Sequence, residues 1–215
     1  MRDAHKSGCT PRPIFPWEFL PVAEEFGLIT EIDRWVIDRA TEIAAAGDAV
    51  QLNVSGRSIG APGLVDHIKH ALQATGADPE KIVFEITETA LVSAELAARA
   101  FVEGLHALGC KVALDDFGTG YGGFTYLKQL PVDFLKIDIE FVLDVRTNSA
   151  SRNVIQSIVS LAAGFGLKTV GEGVEDEASL NLLRELGVDY AQGFHIGRPA
   201  PLETANQPAI QGDRK

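Results

Sequence analysis

The sequence predicts an α/β fold built on a parallel sheet, of the βα-barrel kind, and three observations predict it. Six short apolar runs punctuate the 215 residues: AVQLN, KIVFE, KVALDD, DFLK, KTVGE and DYAQ. Roughly 20–35 residues separate one run from the next, mostly with helical periodicity, and strands alternating with helices require parallel pairing. Each run ends in a polar residue: Asn53, Glu85, the pair Asp115 and Asp116, Lys136, Glu172 and Gln192. The carboxyl ends of parallel strands share one face, where ligands bind. Three carboxylate positions, a lysine and two amides converging there point to a metal-assisted reaction on an anionic substrate.

The elements follow in chain order. Residues 1–13 carry two prolines, mixed charge and no periodicity, so they read as irregular. WEFLPVAEEFG reads as a short helix. TEIDRWVIDRATEIAAAG reads as a longer one, with Thr30 as N-cap, Asp33 as its capping-box partner, Gly47 past the end, and Ile32, Trp35, Val36 and Ile43 on the apolar face. The first strand is placed near 49–54, followed by a helix over about 62–75 that Gly76 closes. The second strand lies near 81–87, and a helix from Ser93 to Leu108 ends at Gly109. The third strand, KVALD, runs into the glycine-rich loop DDFGTGYGG, and a short helix FTYLKQL precedes the fourth strand, DFLKID. Asn148 or Ser149 caps a helix to about Phe165, LKTVGE is the fifth strand, Glu177 to Leu186 is helical, and VDYAQG is the sixth strand. The segment 204–215 reads as a polar tail, leaving 14–203 as one domain.

Composition bounds the function. Hydrophobic content of 46% and charged content of 23% suit a soluble globular domain. No apolar stretch approaches the ~20 residues that span a bilayer, and the N-terminus lacks the apolar core of a secretory signal, so the expected setting is cytoplasmic. A net charge of −11 argues against long nucleic acid as a partner. A small phosphate ligand remains compatible if divalent cations lie between it and the carboxylates. Cys9 and Cys110 have neither zinc nor disulfide spacing and read as free thiols.

The candidate residues each have a functional and a structural reading. Adjacent carboxylates at Asp115 and Asp116 repel unless a cation lies between them, though Asp-Asp-Phe-Gly also suits a plain turn. Glu85, flanked by Phe84 and Ile86, is a metal ligand or a salt-bridged core glutamate; Glu88 is a site acid or a helix cap. Asn53 offers a neutral oxygen to a cation or to backbone. Lys136 neutralises developing charge or pairs a carboxylate. Glu172, between two glycines, suits a general base or metal ligand. Gln192 can touch metal-bound water or substrate, and Arg198 a phosphate or only solvent. His67 and His70 share a helix face but have no third ligand, and His195 follows Gln192 closely.

The segments FLPVAEEFGLI, LNVS, FEITET, LDDFGTGYGGFTYLKQLPVDFLKID, GEGVE, AQGF and GRP, in this order over residues 14–203, resemble those of the EAL-domain family of bacterial cyclic-di-GMP phosphodiesterases. The resemblance implies a modified TIM-like barrel that linearises cyclic-di-GMP to pGpG with two Mg²⁺ or Mn²⁺ ions. It implies Asn53, Glu85 and Asp115 as ligands of one metal, Asp115 bridging to a second held by Asp116, Lys136 positioning water, Glu172 as general base, Glu88 anchoring the glycine-rich loop, and Gln192 beside the metals. Against the family pattern, the Glu-Ala-Leu motif and its following arginine are absent, Gly122 and Gly123 replace paired serines, and Ile139 and Glu140 replace Arg-Ser. The expectation is therefore an incomplete barrel of about six strands with the first two missing, whose open edges call for a homodimer or partner domain, and whose turnover is impaired. The alternative is a non-catalytic cyclic-di-GMP receptor or interaction domain.

Overall fold

A computed structural model describes residues 14–93, 95–118, 127–128 and 130–200, with the side chains of 92 and 93 excepted. Most of the expected helix FTYLKQL, the body of the glycine-rich loop and Cys9 lie outside the described residues. Helix α1 (Pro16–Glu25) opens with proline, whose missing N–H costs nothing in a first turn. Helix α2 (Ile29–Ala45) leads to strand β1 (Val50–Asn53). Then come α3 (Gly56–Ile59), α4 (Leu64–Thr75), a 3₁₀ turn at Pro79–Lys81, β2 (Ile82–Thr87), α5 (Glu88–Ser93), α6 (Glu95–Leu108) and β3 (Lys111–Phe117). Strand β4 (Phe134–Ile137), α7 (Ile139–Leu143), α8 (Ser149–Phe165), β5 (Lys168–Gly171), α9 (Glu177–Glu185) and β6 (Tyr190–Ala191) complete the chain.

All six strands pair in parallel in the order β1-β2-β3-β4-β5-β6, and the sheet curls into a half-barrel. Side chains alternate faces along each strand. Leu52, Ile82, Phe84, Ile86, Val112, Leu114, Leu135 and Ile137 point to the convex face, where they pack against Ile37, Ile68, Phe101, Leu105, Ile155 and Leu183 of the helices. Among the described residues, α2, α4, α6, α8 and α9 lay their apolar stripes on that layer, which is why the core lies outside the curl. The opposite, concave face carries Val83, Ala113 and Val170 low down and polar residues at the strand ends. At the β1 edge the concave-face residues Gln51 and Asn53 are exposed.

Two readings of α2 are corrected. Thr30 is inside the helix, whose N-cap is Leu28, so no capping box forms. The buried stripe is Ile29, Asp33, Ile37, Ala40 and Ala44, while Trp35 is 63% exposed. Asp33 instead accepts the Ser55 N–H at 3.1 Å, tying α2 to the turn after β1. Burial raises its pKa, and the bonds from Ser58 and Ser55 offset part of that. Two single-turn helices were also absent from the sequence reading. Ser55 caps α3 and Asp138 caps α7, each accepting an N–H two residues on. The helix expected from about Ser93 to Leu108 is α6, Glu95–Leu108, and a separate short helix, α5, precedes it directly after β2.

Candidate metal centre at the strand ends

Register explains how residues far apart in the chain come together. Asn53 pairs with Glu85 across β1 and β2, Thr87 with Asp115 across β2 and β3, and Lys136 with Val170 across β4 and β5. Registered residues share a face, so Asn53, Glu85, Asp115, Lys136, Glu172 and Gln192 all line the concave rim at the strands' carboxyl ends.

Lys136 is the hub. It is 3% exposed. Its Nζ lies 2.6 Å from Glu85 Oε2, 2.9 Å from Asp115 Oδ1 and 2.6 Å from Glu172 Oε1. Burial alone would lower its pKa, but Glu85, Glu172 and Asp115 outweigh that and hold the ammonium above its ordinary value. The carboxylates move the other way. Burial raises the pKa of Glu85 and Glu172, Lys136 counters, and neighbouring acids add to the rise. Gln192 Nε2 donates to Glu172 Oε1 at 2.6 Å, so that oxygen has two donors.

Asp116 needs a backbone device. The register of β3 on β4 shifts between Leu114 and Phe117, and Asp116 takes φ 56. Aspartate tolerates this left-handed conformation better than most residues. Its effect is to aim two consecutive carboxylates at one place, where strict alternation would separate them. Oxygens of Asp115, Asp116 and Glu172 lie within 4.8 Å of one another. Burial, then Asp115 and Asp138, raise the Asp116 pKa. Asp138 is a neighbour the sequence reading did not single out. Its spacing of two from Lys136 on the same strand end was the available signal.

Glu172 is placed by glycine. Gly173 has φ +68, and a Cβ there would meet Ile139 Cγ1 at 2.2 Å. Gly193, after Gln192, has φ +154, and a Cβ would meet Val174 N at 2.2 Å. The two strand exits thus cross in contact, joined by Val174 N–H to the Gln192 carbonyl at 3.0 Å.

The remaining candidates scatter. Glu88 is 3% exposed, and neither carboxylate oxygen has a hydrogen-bond partner among the described residues. Arg198 stacks its guanidinium over Phe194, 4.7 Å from the ring centroid. His67 bonds Asp38 at 2.9 Å and His195 bonds Glu177 at 2.9 Å, which makes both of them structural. Cys110 is a buried free thiol whose pKa desolvation pushes up to about 12.

Hard oxygen donors this close can hold a metal ion. No helix among the described residues is long and apolar enough to cross a membrane.

The chain is 38% identical over 197 residues to the bifunctional diguanylate cyclase/cyclic di-GMP phosphodiesterase MucR of Pseudomonas aeruginosa, covering 88% of this chain and 29% of that protein. It is 36% identical over 197 residues to the cyclic di-GMP phosphodiesterase PdeB of Shewanella oneidensis, covering 89% of this chain and 23% of that protein. The chain thus spans less than a third of these relatives. The solved PaMucR phosphodiesterase, in complex with c-di-GMP, superimposes with a TM-score of 0.84 at 37% identity, over 89% of this chain and 81% of that one. The family model described as EAL domain matches residues 10–199, a span that takes in every strand and every rim residue described above, and the chain belongs to the EAL domain family.

Proposed function

We propose that this chain is an EAL-type phosphodiesterase unit that hydrolyses cyclic di-GMP to linear pGpG. The observation that carries the reading is the buried Lys136 ringed by Glu85, Asp115 and Glu172 at 2.6–2.9 Å, with Asp116 beside them. The similarity to MucR and PdeB, named as cyclic di-GMP phosphodiesterases, supports the substrate. The proposed domain runs over 14–203, with 1–13 and 204–215 as flanking segments, in a cytoplasmic setting.

Two Mg²⁺ or Mn²⁺ ions fit the donor set, with Asn53, Glu85 and Asp115 on one and Asp115 and Asp116 on the other. When bound, such ions acidify water and neutralise phosphate charge. The protein's own residues do the rest. Glu172, whose pKa burial raises above its ordinary value, accepts the proton of the attacking water. Gln192 fixes the Glu172 carboxylate. Lys136 holds the water and offsets charge developing on the phosphate. Glu88 is assigned to anchor the glycine-rich loop. Arg198 contacts substrate after leaving Phe194.

A second reading is a non-catalytic cyclic di-GMP receptor or interaction domain. The observation favouring it is the β1 edge, where Asn53 is exposed on the open concave face. A homodimer or partner domain covering the sheet edges belongs to either reading. Incubating the chain with cyclic di-GMP and Mn²⁺, beside a binding titration, separates them. Metal-dependent pGpG formation lost in Glu172→Gln supports the enzyme. Saturable binding without turnover supports the receptor. Neither binding nor turnover overturns both.

A further inference from the structure

We infer that Lys136 is a built-in counter-ion that competes with the metal: its ammonium holds the carboxylates together in the metal-free protein and yields contacts when an ion enters. This rests on the metal-dependent reading above and adds a role for one of its residues.

Four carboxylates, from Glu85, Asp115, Asp116 and Glu172, meet at a largely buried place, and Lys136 is the cation among them. It takes one oxygen from each of three strands, β2, β3 and the end of β5. Without a cation, these acids would repel at short range where water screens poorly. Lysine therefore performs in the apo protein the task an ion performs in the loaded one. The two cannot share the same oxygens freely. An ammonium sits 2.6–2.9 Å from Glu85 and Asp115 here, whereas Mg²⁺ requires oxygens at about 2.0–2.1 Å. An ion satisfied by those oxygens lies close to Nζ, and like charges at such range oppose each other. Loading must cost Lys136 at least one of its bonds. The site is thereby kept from binding metal too tightly before substrate phosphate arrives.

The test is Mn²⁺ binding to the 215-residue chain without nucleotide, by calorimetry, with melting temperature as a second readout. Lys136→Gln and Lys136→Met are expected to bind Mn²⁺ on the order of tenfold tighter or more. Their melting temperatures are expected to fall without metal and to recover towards wild type at saturating Mn²⁺. Lys136→Arg keeps the charge and is expected to keep wild-type affinity; it is the informative variant if the neutral ones do not fold, and tighter binding by it overturns the inference. Neutral variants that bind Mn²⁺ as wild type or more weakly, while Asp115→Asn still weakens binding, overturn the inference and leave the metal reading standing. Absence of Asp115-dependent binding in wild type and in the Lys136 variants overturns both.

Discussion

The two ends of the sheet solve the same problem, an aspartate beside a strand, in opposite ways. At the amino ends, Asp133 and Asp189 each stand one residue before a strand and reach across to the neighbouring strand. Asp133 Oδ2 accepts the Val112 N–H at 2.8 Å and pairs His106 Nε2 at 3.0 Å. Asp189 Oδ2 accepts the Thr169 N–H and hydroxyl at 3.0 Å each, and its Oδ1 accepts Lys168 Nζ at 2.7 Å. Each of these acids accepts at least two donors. Although burial opposes it, the bonds from Lys168 and Thr169 hold the Asp189 pKa below its ordinary value. At the carboxyl ends, four acids crowd one lysine, and Glu85, Asp116 and Glu172 are all shifted upward. The amino end is built to hold strands together. The carboxyl end gathers more acids than its one lysine can compensate, which is where a functional site is expected to store strain.

The sharpest way to break this comparison is at Asp115. Asp115→Asn is expected to lower cyclic di-GMP hydrolysis by roughly 30-fold to several thousand-fold, since it removes a charged contact worth about 2–5 kcal/mol. Metal binding should weaken more than in Asp116→Asn, because only Asp115 is assigned to both ions. The metal-free melting temperature should hold. If Asp115→Asn unfolds the metal-free protein, the carboxyl end carries stability after all.

Next in size is Gly173→Ala. It forces a side chain into Ile139 at a positive φ, so a loss of about 2–3 kcal/mol is expected in urea unfolding. Activity should fall with it, because Glu172 moves. A variant as stable as wild type would show that the exit of β5 is not fixed by this contact.

Asp133→Ala leaves the Val112 N–H unpaired, an expected loss of about 1–3 kcal/mol, while Asp133→Asn retains an acceptor and should lose less. Equal losses would mean that charge, rather than the backbone bond, matters at the amino end.

The smallest effect concerns pH. A carboxyl whose pKa is raised on folding contributes stability that is complete below its unfolded value and fades as pH rises through the folded one. Glu85, Asp116 and Glu172 do this, so metal-free stability should decline as pH rises above the ordinary carboxylate range. Asp189, shifted down, contributes above its unfolded value and loses this only as pH falls through its lowered one. Asp116→Asn should flatten the decline and stabilise the metal-free protein at neutral pH by a few tenths of a kcal/mol, the partial exposure of the side chain screening the rest. Unfolding at pH 5 and 7.5 measures it; a steeper decline would contradict the assignment.

The rim was legible in the sequence because polar residues at the ends of apolar runs break a two-residue alternation, and Glu85, Asp115, Lys136, Glu172 and Gln192 all do so. Placing them on one sheet end needs only the βα rule. What the sequence could not convey was set by distant partners. Asp33 looks like a cap partner because the residue it bonds, Ser55, is 22 positions away. Trp35 fits an apolar stripe that lies one step round the helix from the buried one. The bulge at Asp116 depends on backbone register against β4, and three simultaneous bonds to Lys136 depend on the curl of the sheet. Single-turn helices such as α3 and α7 are too short to leave a period at all.

The strand order also says something about how such a chain acquires its shape. Each strand lies beside the one that precedes it in sequence, so no pairing must wait for a distant segment to be synthesised. Contacts grow by accretion, one βα unit upon the last, and loop-closure entropy is met in small instalments. A ribosome releasing this chain exposes a sheet edge that the next unit covers. Growth of this kind can also stop or resume at a unit boundary without rearranging what is already paired, which makes the βα unit a natural quantum for gain and loss of sequence during descent.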